Sequence, residues 1–182
     1  MRYDKTDIDY LIAESKKGNS RAQFNLYNRY CNSMFNTAYR IVYDKQEAEN
    51  IMQDAFLSAF TKLDKYKSEF SFGSWLKRIV INRSISHLRS RKNYNQLFDS
   101  TAIYLDDMMQ EKTVDYTNTG VKQIIENMKK LSDSYRTVLS LNLIEGYNYE
   151  EISEILGISN QNCRTIASRA KAKLRQLIIQ NN

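Results

Sequence analysis

A chain of 182 residues with no proline and five glycines cannot supply the turn chemistry that sandwiches and barrels need roughly every eight to twelve residues. Helices hold themselves together with local hydrogen bonds and need no such breakers in their interior, so the chain reads as all-α. Hydrophobic residues at 42% and charged residues at 26% are those of an ordinary folded protein. The length allows one medium domain or two small ones and excludes a large catalytic barrel.

No apolar run approaches the roughly 20 residues that span a bilayer. The opening MRYDKTDIDY carries three acids where a targeting segment would be basic and then apolar. The expectation is a cytoplasmic chain without membrane insertion. Cys31 and Cys163 lie far apart in helical patterns, and His87 is the single histidine, so the pattern calls for no metal site and no cofactor. Both thiols read as reduced packing residues.

The net charge of +6 is unevenly placed. Residues 1–69 hold eleven Lys or Arg against ten acids, whereas 70–98 hold six and no acid. Residues 99–119 carry five acids against Lys112, and after Glu154 five basic residues follow with no acid. Two basic zones around an acidic connector suggest two modules that each meet a polyanion, because clustered Lys and Arg release condensed counterions from phosphates.

Hydrophobic periodicity predicts helices near 4–16, 19–43, 45–64 and 74–91, then near 120–131, 133–145, 148–156 and 160–179. Asn19 or Ser20 can cap the second, and Ser74 can cap the fourth. YKSEFSFGS, between the third and fourth, reads as a surface loop. Residues 92–119 show no sustained period and read as a linker with at most one helical turn. The expected domains are therefore 1–91 and 120–182, joined by an acidic linker over 92–119.

In the second module, Asn148 and Glu151 have the spacing of a reciprocal cap, and Gly157 can stop the short helix they open. Ser159 can cap a longer helix, which completes a helix-turn-helix pattern. At 100° per residue, Cys163, Ile166, Ala167, Ala170 and Leu174 share one side of that helix, while Gln161, Thr165 and Ser168 share the other, flanked by Arg164 and Arg169. Amides, hydroxyls and guanidiniums at a helix N-terminus suit base edges in a major groove. The same pattern would also serve a helical hairpin with a merely soluble face.

In the first module, Leu57 falls among Asn50, Gln53 and Asp54, opposite an apolar stripe, as a partner-binding side chain would. The fourth helix is apolar around most of its girth but carries a strip of Trp75, Arg78, Asn82, Ser86 and Arg89. Such a strip can stack on unpaired bases and hold a single strand, although Trp75 could equally be a core anchor.

EAENIMQDAFLSAF, FGSWLKRIVINRSISHLRSRK and EGYNYEEISEILGISNQNCRTIASRAKAKLR, in that order and spacing, resemble regions two and four of extracytoplasmic-function sigma factors of the sigma-70 family. The resemblance implies a region-two bundle and a region-four helix-turn-helix. It implies that Asn50, Gln53, Asp54 and Leu57 dock on the clamp helices of core RNA polymerase. The loop holding Tyr66, Lys67, Ser68, Phe70 and Ser71 would pocket a flipped minus-ten base, with Trp75, Arg78, Asn82 and Arg89 on the helix behind it. Gln161, Asn162, Arg164, Thr165, Ser168 and Arg169 would read the minus-35 duplex. Promoter DNA, the polymerase and an anti-sigma protein are the implied partners of a non-enzymatic specificity subunit. Departures from the family pattern are Ser86 for an acid, Phe60 for tryptophan, Leu131-Ser132 for Leu-Pro, Gln161-Asn162-Cys163 for Gly-Thr-Val, and Ile166 for arginine. A stand-alone dimeric helix-turn-helix regulator is the alternative reading.

Overall fold

The computed structural model describes residues 7–91 and 120–180, and every described element is helical. The linker expected over 92–119 lies outside the described residues. Contacts group the chain into two compact units, Met1–His87 and Leu88–Asn182.

The first unit is built from α1 (Ile8–Lys16), α2 (Ser20–Val42), α3 (Lys45–Thr61) and α4 (Phe72–Arg91), whose last residues run past the division. Each of the first three begins on a side chain that satisfies orphan N–H groups: Asp7 accepts from Asp9, Asn19 from Arg21 and Ala22, and Asp44 from Glu47. Gly18, at φ +83°, turns the chain between α1 and α2. Leu26, Met34, Ala38 and Ile41 of α2 bury against Ala48, Met52, Ala55 and Phe56 of α3, with the Tyr27 and Phe56 rings 4.8 Å apart. Burying each large apolar side chain contributes roughly 1.5 to 3 kcal/mol.

Three boundaries differ from the sequence expectation. The first helix, expected from residue 4, begins at Ile8 because Asp7 is extended and serves as its cap. α3 stops at Thr61, and a 3₁₀ turn over Leu63–Lys65 carries Leu63 into the core at 2% exposure. α4 starts two residues early because Phe72 is buried at 1% and Ser71, not Ser74, is the cap: its Oγ accepts from the Ser74 N–H at 3.2 Å.

The second unit contains α5 (Val121–Met128), α6 (Asp133–Leu139), α7 (Tyr149–Leu156) and α8 (Asn160–Gln180). Met128, Leu131, Leu139, Ala170, Leu174 and Ile178 form one apolar cluster. The helix expected over 133–145 instead widens into a π turn over Ser140–Ile144, closed by Glu145 N–H donating to the Ser140 carbonyl at 3.0 Å. The Asn142 side-chain amide then donates to the Tyr147 carbonyl, which holds the exit toward α7.

Between α5 and α6, where the resemblance leads one to expect Leu-Pro, the turn is held by polar groups. Ser132 caps α6. Arg136, 5% exposed, donates to the Leu131 carbonyl at 3.0 Å and pairs with Asp133 at 2.6 Å.

Candidate nucleic-acid interface

On the first unit, α3 displays Asn50, Gln53, Asp54 and Leu57 to solvent, with Leu57 67% exposed on the side opposite buried Ala48, Ala55 and Ala59. Asp54 also pairs with Arg83 of α4 at 3.5 Å, both partners well exposed, so that pair contributes little to stability.

The loop from Tyr66 to Ser71 rests on an aromatic cluster. The Tyr66 ring meets Phe72 edge-on at 5.8 Å and Trp75 at 5.3 Å, and Tyr30 meets Phe72 at 5.5 Å. Burial pushes the Tyr30 and Tyr66 phenols above their ordinary value. Tyr66 is 8% exposed, and its hydroxyl donates to the Phe70 carbonyl at 2.7 Å, so it lies beneath the loop rather than on its outer side. It is the floor of the loop. Ser71 is engaged in capping α4, although its side chain remains exposed. Lys67, Ser68 and Phe70 face solvent, and among the described residues Phe70 is the most exposed large apolar side chain, at 71%.

Behind the loop, Trp75 is half-buried, packed on Phe72 and Tyr66, so it serves as a core anchor and still keeps part of its ring outward. Asn82 and Ser86 are exposed and Arg78 is half-buried, as is Arg89 near the end of α4. Asn82 and Ser86 line a shallow groove of about 320 Å³ with Ile79, Arg83, Ser58 of α3 and Lys62 just beyond the end of α3. The groove combines hydroxyls, an amide and two cations, which suits a phosphodiester backbone. Ser58 and Lys62 escaped the sequence reading because a one-helix wheel cannot show which neighbour completes a groove.

On the second unit, both halves of the Asn148–Glu151 capping box are made: Asn148 Oδ1 accepts from Glu150 and Glu151, and Glu151 accepts from the Asn148 N–H at 2.8 Å. Gly157 takes φ +60°, and Ile158 N–H donates back to the Ser153 carbonyl, a Schellman-type stop. Ser159 Oγ accepts from Asn162 N–H at 3.1 Å and opens α8.

Cys163, Ile166, Ala167, Ala170 and Leu174 are all buried beneath α8, and burial raises the Cys163 thiol pKa. The outer side of α8 holds Gln161, Arg164 and Ser168 exposed, and Asn162, Thr165 and Arg169 half-buried. Thr165 Oγ1 donates back to the Gln161 carbonyl at 2.9 Å, which orients its methyl and hydroxyl.

Arg164 Nε donates to Asn160 Oδ1 at 2.7 Å, and its guanidinium carbon lies 5.7 Å from the ring centre of Tyr149 on α7. Lys171 donates to the Tyr149 hydroxyl at 2.9 Å. Tyr149 was not marked by the sequence pattern, whereas Lys171 belongs to the basic run after Glu154 that the sequence assigns to phosphates. Exposed Leu143 and Ile144 on the π turn were likewise missed, because helical spacing alone does not register a π turn. Among the described residues, no group of three or more His, Cys, Asp or Glu could hold a metal, and no helix is long and apolar enough to cross a membrane.

Known proteins share both halves of this arrangement. The Sigma-70 region 2 family matches residues 26–94 and the Sigma-70, region 4 family matches 122–174. The chain is 30% identical to the ECF RNA polymerase sigma factor SigW of Bacillus subtilis (strain 168), over 93% of this chain and 95% of SigW. It is 27% identical to the RNA polymerase sigma-H factor of Pseudomonas aeruginosa, over 80% of each. The solved structure of CnrH in complex with the cytosolic domain of CnrY shares the fold at a TM-score of 0.57 and 24% identity, over 97% of this chain and 100% of CnrH. RpoE of Bartonella quintana, solved with the anti-sigma factor NepR, shares it at 0.56 and 20%, over 86% of this chain and 96% of RpoE.

Proposed function

This chain belongs to the sigma-70 family, in its extracytoplasmic-function branch, and from that premise we infer how its two units divide one promoter between them. As a sigma factor it binds core RNA polymerase and directs promoter-specific initiation of transcription. Region two docks through Leu57 and the polar residues around it on α3. The Lys67–Ser71 loop and the groove at Asn82 take the opened minus-ten strand, and Tyr66 supports that loop from beneath. Region four lays α8 in the minus-35 major groove, where Gln161, Arg164 and Ser168 face base edges.

The observation that carries this division is α8 itself: a capped helix, buried along one side, that presents an amide, a hydroxyl and a guanidinium on the other. The functional limits we propose are 1–91, 92–119 and 120–182, with the acidic 92–119 stretch following a basic channel of the polymerase rather than DNA phosphates. Nucleotide addition then belongs wholly to the polymerase, and the chain works in the cytoplasm beside it. The anti-sigma factor bound to RpoE supports a protein of that kind as a further partner here. A stand-alone dimeric regulator is set aside, because it would leave the region-two match without a role.

The test is reconstitution of the full chain with core polymerase and run-off transcription from a mapped promoter. Arg164→Ala should lose activity only on templates with an intact upstream element. Equal activity of this variant and the wild type on every template would refute the assignment of α8.

A further inference from the structure

Tyr149 stands at the first position of α7, directly after the Asn148 cap, so the capping box holds its backbone in place. Its side chain reaches across to α8 and meets two cations seven residues apart, hence on the same side of that helix. The two contacts differ in kind. Lys171 Nζ is 2.9 Å from the hydroxyl oxygen and 5.6 Å from the ring centre, distances that agree only if the ammonium lies beyond the oxygen, in line with the phenol axis. Lys171 is therefore held by a hydrogen bond and not by the ring face. Arg164 has no bond to the hydroxyl and meets the ring, while its Nε is taken by Asn160.

Resting on the reading of α8 as the duplex-reading helix, we propose that Tyr149 is a positioning residue for minus-35 recognition, its ring aiming Arg164 at a base edge and its hydroxyl aiming Lys171 at a phosphate. With Nε bonded to Asn160 and the guanidinium placed against the ring, the two terminal nitrogens of Arg164 remain for a bidentate contact. A long flexible side chain held in one pose loses less freedom on binding, so pre-positioning appears as affinity. Lys171 sits two turns further along α8, where a point charge fixed by one hydrogen bond suits the DNA backbone. A leucine could fill the same space but would offer neither an aromatic face nor a hydroxyl.

The two functions of one side chain can be separated. Holoenzymes carrying Tyr149→Phe, Tyr149→Leu, Lys171→Met and Arg164→Ala are compared for promoter binding on templates with intact and scrambled upstream elements, across a salt series. Tyr149→Phe keeps the ring and should keep the preference for the intact element, while the slope of log affinity against log salt falls by about 0.9, the loss of one phosphate contact. Lys171→Met should give the same slope as Tyr149→Phe. Tyr149→Leu should show that slope change and also lose roughly two- to fivefold in preference, the range of a surface cation–π contact.

Wild-type slope and preference in both Tyr149 variants, with Arg164→Ala still impaired, would overturn the proposal and leave α8 as the reading helix. If Arg164→Ala keeps the full preference, the reading of α8 falls, and the role of Tyr149 with it. A Tyr149→Leu defect that Tyr149→Phe shares in full would show that the ring alone positions nothing.

Discussion

The hydroxyl of Tyr66 donates a 2.7 Å hydrogen bond to the carbonyl oxygen of Phe70, four residues later, and this bond ties the loop between α3 and α4 to the aromatic cluster beneath it. Removing the hydroxyl while keeping the ring releases the loop without emptying the core. Tyr66→Phe should cost about 1 kcal/mol or less in global stability, because water can reach the freed carbonyl. Amide exchange at Lys67–Phe70 should nevertheless accelerate, and initiation on minus-ten-dependent templates should weaken. Unchanged exchange across those residues would mean that the loop holds its shape without this bond.

Tyr30 and Tyr66 also make the first unit sensitive to alkali. Burial is the first cause of the raised pKa in each; the charge of Arg29 pulls Tyr30 partly back, and Asp9 pushes Tyr66 further up. A folded pKa above the unfolded one means that the contribution of these phenols is complete below the ordinary value of 10.0 and is lost as pH rises through the raised values. Denaturant titrations from neutral pH into that alkaline window should show the wild type losing more stability than a Tyr30→Phe/Tyr66→Phe double variant. Equal losses would assign the alkaline sensitivity to other tyrosines.

Local signals were the legible part of this molecule. Asn19, the Asn148–Glu151 box, Gly157 and Ser159 act where the sequence puts them, because a cap is decided within about three or four residues and leaves its donors and acceptors in the local pattern. The α4 cap moved from Ser74 to Ser71 because burial of Phe72 outweighed the Ser/Gly-rich look of that stretch. What stayed hidden depends on a second element. Lys62 completes a groove that α4 begins, Tyr149 organises cations on the following helix, and Tyr66 turns inward because Phe72 and Trp75 come to meet it. The π turn was unreadable for a different reason: it inserts one residue into a periodicity that the pattern assumes to be constant.

Arg136 carries no motif signal in the sequence, yet it is a structural pin of the α5–α6 turn, where its guanidinium bonds the Leu131 carbonyl and Asp133. Arg136→Met keeps the length of the side chain and deletes both bonds. Asp133 retains some contact with water, so the loss should be roughly 2 kcal/mol, toward the middle of the range for bonds to charged groups. Guanidinium unfolding should show the transition of the second unit moving to lower denaturant while that of the first stays in place. A shift of the first transition instead would mean that Arg136 serves something other than its own turn.

Leu57 is the sharpest test of the polymerase surface, because an exposed leucine is common on any protein and exposure alone decides nothing. What distinguishes it is its setting, 67% exposed on a helix whose opposite side is packed, with Asn50, Gln53 and Asp54 around it as a polar rim. Leu57→Arg should leave the thermal midpoint almost unmoved, since surface changes of this kind usually fall within about 0.5 kcal/mol. Its association with core polymerase should weaken roughly tenfold or more, as loss of a central apolar anchor does. Arg83→Ala separates packing from charge: on the α3 surface it breaks the exposed pair with Asp54 and leaves Leu57 in place, so it should change association far less. If the two variants weaken binding equally, charge around Asp54 holds the polymerase and Leu57 is an ordinary surface residue; if neither does, α3 is not the docking helix.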